Sequence, residues 1–318
     1  MILEEIKKRA EIVNKAIEEY LPVKHPERLY LAARHLIKAG GKRLRPVLTI
    51  ISAEAIERDY NKILPAAVAI ETIHNFTLIH DDIMDEDELR RGVKTVHTLY
   101  GVPTAILAGD TLFAEAFKIM SECDVEKDCL VRGLRKLAEV CIEICEGQQM
   151  DMEFEERTFV SEDEYLEMIK KKTAVLIALS SSIPATLFNE SKYEEKLWNY
   201  GLYSGMAFQI KDDVLDLTGK DKIGKDWGSD LVEGKKTLVI IKALESGVEL
   251  ESFGKRKATK EEIERDIKKL EECGAIEYAE KMAVEFSEKA KRELGALKDN
   301  ESRKLLEELA DFFVKRDY

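Results

Sequence analysis

The stretch His74–Gly92, HNFTLIHDDIMDEDELRRG, places six carboxylates in the eight residues from Asp81 to Glu88, and two arginines follow at once. Like charges three or four residues apart weaken a helix by roughly 0.2–0.5 kcal/mol per pair. The residues before the cluster nevertheless have helical period, from Pro65 through PAAVAIETIHNFTLI, and Pro suits a helix start. At 100° per residue Asp81 and Asp85 lie about 40° apart, so the motif presents carboxylates from one face of one helix. The pattern recurs: DDIMD at 81–85 is matched by DDVLD at 212–216, again after an apolar helical run. Either motif alone could be a solvated acidic face. Two together suit Mg²⁺, a hard cation held by one or two carboxylates plus water and substrate phosphates. Cations and a polyphosphate would relieve the repulsion.

The rest of the chain agrees with a helical protein. Ala, Glu, Lys, Leu and Ile dominate its 318 residues, with only 6 Pro and 17 Gly. Ser161–Glu164 (SEDE) and Thr259–Glu262 (TKEE) are capping boxes, which mark helix starts. The helix opened by SEDE is expected to continue through YLEMIKKKTAVLIALSSSIPA. No strand pair is expected, and 219–236 is the longest Gly-rich loop. The expectation is an all-α, single-domain bundle of about ten helices over 1–318. A net charge of −13 argues against nucleic acid. The N-terminus lacks signal-peptide character, and no run approaches the ~18–20 apolar residues of a membrane span, so a cytoplasmic protein is expected. Of the five cysteines, Cys141 and Cys145 lie one turn apart, a spacing that could hold a metal, but they read as small buried core thiols.

Candidate partners surround the acids. His74 lies seven residues before Asp81 and eleven before Asp85, each within about 20° of whole turns. Gln209 falls about 60° from Asp212 and about 20° from Asp216. Basic residues stand where a phosphate would want them. Lys42, Arg43 and Arg45 in GGKRLRP lie between a helix end and a helix N-terminus, where backbone N–H groups favour anions. Arg90 and Arg91 follow the first acidic motif, Lys170–Lys172 precede Thr173, Lys225 sits in the Gly-rich loop, and Lys235–Lys236 close it.

With GGKRLRP, HDDIMDEDELRRG, KKTA, FQIKDDVLD and GKDWGSDLVEGKKTL in this order, the chain resembles the trans-isoprenyl diphosphate synthases, or polyprenyl synthetases. It is most similar to the archaeal short-chain geranylgeranyl and farnesyl types. The resemblance covers essentially the whole chain. It implies helices around a deep central cavity, a homodimer, and two acidic motifs facing each other across the cavity mouth. It further implies three Mg²⁺ ions, with Asp81 and Asp85 holding two and Asp212 the third. Asp82, Asp213 and Asp216 would support them indirectly. Arg90, Lys172, Lys225 and Lys235 would hold an allylic diphosphate, and Lys42, Arg45, His74 and Arg91 isopentenyl diphosphate. Thr173 and Gln209 would direct oxygens at an allylic cation. The reaction implied is head-to-tail condensation to an all-trans C20 diphosphate, with C15 as a further product. Phe76 and Thr77, just upstream of the first motif, would set product length.

Two other enzyme classes compete. A terpene cyclase shares the fold and first motif, but its second motif carries an Asn/Asp, Ser/Thr and Glu pattern rather than DDVLD. An HD-type phosphohydrolase would use His80–Asp81, leaving DDVLD and GGKRLRP unexplained. A noncatalytic partner subunit is the third alternative, and two intact motifs argue against it.

Overall fold

The computed structural model describes residues 2–219, 227–255 and 257–316. Their α-helices are α1 Ile2–Tyr20, α2 Glu27–Lys38, α3 Leu44–Ala55, α4 Leu64–Met84, α5 Val96–Tyr100, α6 Val102–Met120, α7 Lys127–Glu156 and α8 Glu162–Ile169, then α9 Val175–Leu187, α10 Ser191–Thr218, α11 Ser229–Glu233, α12 Leu238–Glu245, α13 Lys260–Glu272, α14 Ala275–Glu293 and α15 Glu301–Lys315. The all-α expectation is met. The number exceeds ten partly because α5 and α11 are single short turns. Both expected capping boxes form, Ser161 with Glu164 and Thr259 with Glu262.

The helices fall into two compact units of non-contiguous segments. One comprises Met1–Cys141, Leu179–Trp198 and Ala296–Leu306; the other Ile142–Ala178, Asn199–Gly295 and Glu307–Tyr318. In the first unit, α1, α3 and α6 pack on α4. Ala66 to Ile70, Ile73 and Ile79 of α4 are all buried, as expected of a core helix that is apolar on most sides. The Tyr60–Met84 segment is thereby long and apolar enough to cross a membrane, and 67% of its apolar window is buried within the protein. The sequence expectation that no such run exists is corrected on that point, and the helix serves as core. The second unit has its own core, including Phe154, Tyr165, Ile210, Val214, Leu238 and Ile267.

Three local expectations change. A strand pair does exist: β1 Leu89–Arg90 pairs antiparallel with β2 Val93–Lys94. Arg91 and Gly92 connect them, both with positive φ (54° and 75°), which is the backbone a two-residue hairpin loop needs. The long helix opened by SEDE is interrupted at Lys170–Ala174 by a π-helical turn. Cys145 is exposed rather than buried, while Cys141 is in the core as expected.

Candidate active site

In the first unit, GGKRLRP joins α2 to α3. Arg43 adopts a left-handed backbone (φ 51°) at the start of α3, which turns its side chain inward, unlike those of its neighbours. Its guanidinium donates to Glu71 Oε1 (2.9 Å), Asn14 Oδ1 (2.9 Å) and the Ile37 carbonyl (2.5 Å), and the Arg43–Glu71 pair is almost fully buried. Arg43 is therefore a clamp on the loop. Arg43→Ala should destabilise the protein by about 3–5 kcal/mol, because Glu71 would be left as a buried unpaired charge; a denaturant titration against wild type measures it. Lys42 stays exposed and Arg45 half-buried. Arg45 Nη1 donates to His74 Nε2 at 3.4 Å. Burial, then the guanidiniums of Arg45, Arg91, Arg90 and Arg43, hold the His74 imidazole well below its ordinary pKa. At neutral pH it is an uncharged ring whose Nε2 accepts, leaving Nδ1 as its donor.

The first acidic motif ends its helix. Asp81 and Asp82 stand in the last turn of α4, Asp85 is the C-cap, and Glu86 has φ 57°. Glu86 to Glu88 thus lie outside the helix, which removes much of the expected repulsion. The hairpin then brings Arg90 back. Its Nε donates to Asp82 Oδ1, and its Nη2 to Asp87 Oδ2 (3.1 Å). Burial opposes the Arg90 charge, yet Asp82, Asp81 and Asp87 together hold its pKa above the ordinary arginine value. Asp82 is fully buried. Burial pushes its carboxyl up to about 6 against the pull of Arg90, and its Oδ2 has no hydrogen-bond partner among the described residues. Arg91 donates Nη1 to the carbonyls of Leu36 (3.1 Å) and Gly40, stitching the hairpin to the basic loop.

In the second unit the π-turn carries the KKTA motif, with the Val175 N–H reaching the Lys170 carbonyl. Such bulges recur at functional sites. Two glycines make room for it. A Cβ at Gly147 would lie 2.3 Å from the Lys172 nitrogen, and one at Gly205 would lie 2.6 Å from Ala174 Cα. Lys172 Nζ donates to Asp151 at 2.5 Å. Thr173 Oγ1 donates to Gln209 Oε1 (2.8 Å), and Gln209 Nε2 to Asp213 Oδ1 (2.8 Å). The phenol of Tyr165 donates to Asp213 Oδ2 at 2.6 Å. Burial and then Asp230 push the Asp213 carboxyl well above the usual range, and the bonds from Tyr165 and Gln209 pull it back. These groups, with Asp230, Lys235 and Lys236, line a pocket of about 100 Å³.

The three acids of DDVLD take different partners. Asp213 is buried as above. Asp216 accepts from the Ser229 hydroxyl (2.9 Å) and the Asp230 N–H (3.2 Å), so it caps α11. Asp212, 41% exposed, accepts from Arg316 Nη2 at 2.6 Å. Both motifs lie at or near the C-terminal end of a helix, α4 or α10. That end is the negative pole, where a cation is favoured and a carboxylate is not. Among the described residues no group of three or more His, Cys, Asp or Glu side chains gathers to hold a metal alone. An all-carboxylate set at helix C-termini, with the buried Asp82 Oδ2 unpartnered among the described residues, fits a hard divalent cation that takes its remaining oxygens from water and phosphate.

The expected residues thus assemble as two groups. Asp81, Asp85, Arg90, Arg91, Lys42, Arg45, His74, Phe76 and Thr77 belong to the first unit. Lys172, Thr173, Gln209, Asp212 and Lys235 belong to the second. Lys225 lies outside the described residues. Asp151, Tyr165, Asp230 and Arg316 were not expected. Asp151 and Arg316 arrive from distant segments, whereas Asp230 lies inside GKDWGSDLVEGKKTL and Tyr165 stands eight residues before Thr173.

This arrangement of paired acidic motifs and basic loops is that of a polyprenyl synthetase, whose family model matches residues 26–273; the chain belongs to that family. It is 63% identical to the geranylgeranyl pyrophosphate synthase of Geoglobus acetivorans across the full length of both chains. It is 47% identical to the geranylfarnesyl diphosphate synthase of Natronomonas pharaonis, covering 98% of this chain and 97% of that one. The solved geranylgeranyl pyrophosphate synthetase from Geoglobus acetivorans superposes with a TM-score of 0.94 at 61% identity, covering 98% and 99% of the two chains. The family uses divalent metal ions.

Proposed function

We propose that the chain is a geranylgeranyl diphosphate synthase, a trans-prenyltransferase that joins isopentenyl diphosphate head-to-tail to dimethylallyl, geranyl and farnesyl diphosphates. The observation that carries this reading is the placement of two DDxxD motifs against the dipoles of their own helices, each accompanied by basic side chains. When bound, Mg²⁺ neutralises charge on the departing diphosphate. Asp81 and Asp85 would hold two ions and Asp212 the third.

The chain's own residues do the rest. Lys172, Lys235 and Arg90 hold the allylic diphosphate and stabilise the negative charge that grows on it. Arg90 does so from a position fixed by Asp82 and Asp87. Lys42, Arg45, His74 and Arg91 hold isopentenyl diphosphate, with His74 as a neutral donor. Thr173 and Gln209, with the Lys172 carbonyl, direct oxygen dipoles at the allylic cation. The double bond of isopentenyl diphosphate attacks C1 of that cation. The released pyrophosphate takes the proton lost in forming the new double bond.

Two further features belong to this reading. Val102, Ile106 and Phe113 stand exposed at spacings of four and seven along α6; this apolar stripe is the face of a homodimer. The enzyme works in the cytoplasm and makes C20, with C15 as a lesser product. The HD-type alternative is disfavoured by His80, whose Nε2 donates to the Ile106 carbonyl at 3.2 Å and whose ring lies against Phe76. The plain DDVLD disfavours a cyclase.

Incubation with isopentenyl and dimethylallyl diphosphates and Mg²⁺, followed by product chromatography, should give geranylgeranyl diphosphate. A cyclic hydrocarbon, simple hydrolysis or no product would refute the reading. The division of substrates is tested by Arg45→Ala. Loss of a charge-assisted hydrogen bond, about 1.5–3 kcal/mol, should lower kcat/KM for isopentenyl diphosphate roughly ten- to a hundredfold. The allylic KM should change far less, and equal losses for both substrates would reverse the assignment.

A further inference from the structure

Thr173, Gln209, Asp213 and Tyr165 form one continuous line of hydrogen bonds whose polarity is set at its buried end. Tyr165 is 1% exposed and Asp213 6%. The phenol donates to Asp213 Oδ2 at 2.6 Å, which holds the carboxyl group in place with Oδ1 turned to accept from Gln209. The side of the Gln209 amide facing it must then be Nε2, the only donor that side chain has. Nε2 is 2.8 Å from Oδ1, and Oε1 on the other side accepts the Thr173 hydroxyl at 2.8 Å. Thr173 has one hydroxyl proton, and this bond engages it. Its lone pairs are what it can offer the pocket it lines with Lys172 and Lys235.

We propose that Tyr165 is a positioning residue: by holding Asp213 it fixes the orientation of the Gln209 amide and, through it, the direction in which Thr173 presents its oxygen. The inference rests on the reading of Thr173 and Gln209 as the oxygens that face the allylic cation. Without the phenol, the Asp213 carboxyl loses its anchor, Oδ1 can swing away from Nε2, and the amide can turn over. N–H dipoles would then point where oxygens are needed, which opposes a developing positive charge. Tyr165 stands on α8 and bonds the Asp213 oxygen that Gln209 does not.

The test compares wild type, Tyr165→Phe and Asp213→Asn. The Asn variant keeps the shape but can offer Gln209 either an oxygen or an N–H, so it too loses the fixed polarity. In both variants kcat for condensation should fall about ten- to a hundredfold, while both diphosphate KM values stay within about twofold of wild type. In Tyr165→Phe calorimetric Mg²⁺ binding should also be unchanged, and in both variants a larger share of the allylic diphosphate should end as the water-captured alcohol. A kcat within about threefold of wild type would overturn the proposal. A parallel loss of kcat, both KM values, Mg²⁺ binding and melting temperature would also overturn it, because that marks a purely structural tyrosine. Should Tyr165→Phe not fold, Asp213→Asn decides alone. Failure of the wild type to condense would instead strike the proposed function itself.

Discussion

Asp212→Ala is expected to lower kcat for condensation by about two to three orders of magnitude, the usual result of removing one preorganised stabiliser of transition-state charge, with a normal circular dichroism spectrum. The asymmetry inside DDVLD is the reason. Asp213 is committed to Tyr165 and Gln209, and Asp216 to capping α11. Asp212 is partly exposed, with Arg316 on one oxygen. Its removal leaves Arg316 with the Phe208 and Phe313 carbonyls (3.0 and 3.2 Å) and with the Phe208 ring, 3.9 Å from centroid to guanidinium. That anchoring is why the fold should survive. Asp216→Ala should differ in kind, loosening the return from the Gly-rich loop before it touches chemistry. Near-wild-type condensation by Asp212→Ala at saturating Mg²⁺ would remove Asp212 from the metal site.

The helices were legible because the apolar period, the capping boxes and the prolines act locally. The acidic motifs were legible for the same reason: their carboxylates share a helix face within five residues. What escaped depends on backbone detail or on distant partners. Nothing in KRLR distinguishes Arg43 from Arg45 as text. The left-handed backbone at Arg43 sends one guanidinium to Glu71 while Arg45 turns to His74. The ELRRG segment conceals a hairpin because two-residue strands are too short to show a period. The π-turn at KKTA follows from room left by Gly147 and Gly205, each more than twenty residues away in sequence. Tyr165 and Arg316 reach the acidic motif only through tertiary packing, so no spacing rule could find them. The C20 assignment likewise lay beyond periodicity, since it depends on how far an apolar cavity extends.

Cavity depth is the basis of the remaining prediction: Phe76→Ala should lengthen the product beyond C20. The wheel places Phe76 about 140° from Asp81, which would suit an ordinary core phenylalanine. The structure shows more than that. Phe76 is half-buried and sits edge-on between His80 (4.9 Å) and Phe113 of α6 (5.3 Å), and Phe113 in turn meets Phe117 (5.1 Å). It is thus the ring that connects the residue beside Asp81 to an aromatic ladder on the neighbouring helix. Thr77, one residue nearer the acids, bonds its hydroxyl back to the His74 carbonyl at 2.8 Å and is too small to block a growing chain. Truncating Phe76 removes the bulk of one aromatic side chain, which is comparable in volume to an isoprene unit. The first condensation, carried out at the diphosphate end, should keep its rate, while chromatography should show C25 and longer diphosphates. A folded, active Phe76→Ala enzyme that still stops at C20 would move the floor to Ile73, a turn further from the acids. Because Ile73 is fully buried in the α4 core, its truncation should then lengthen the product only together with a measurable loss of stability, and that pairing would separate the two positions.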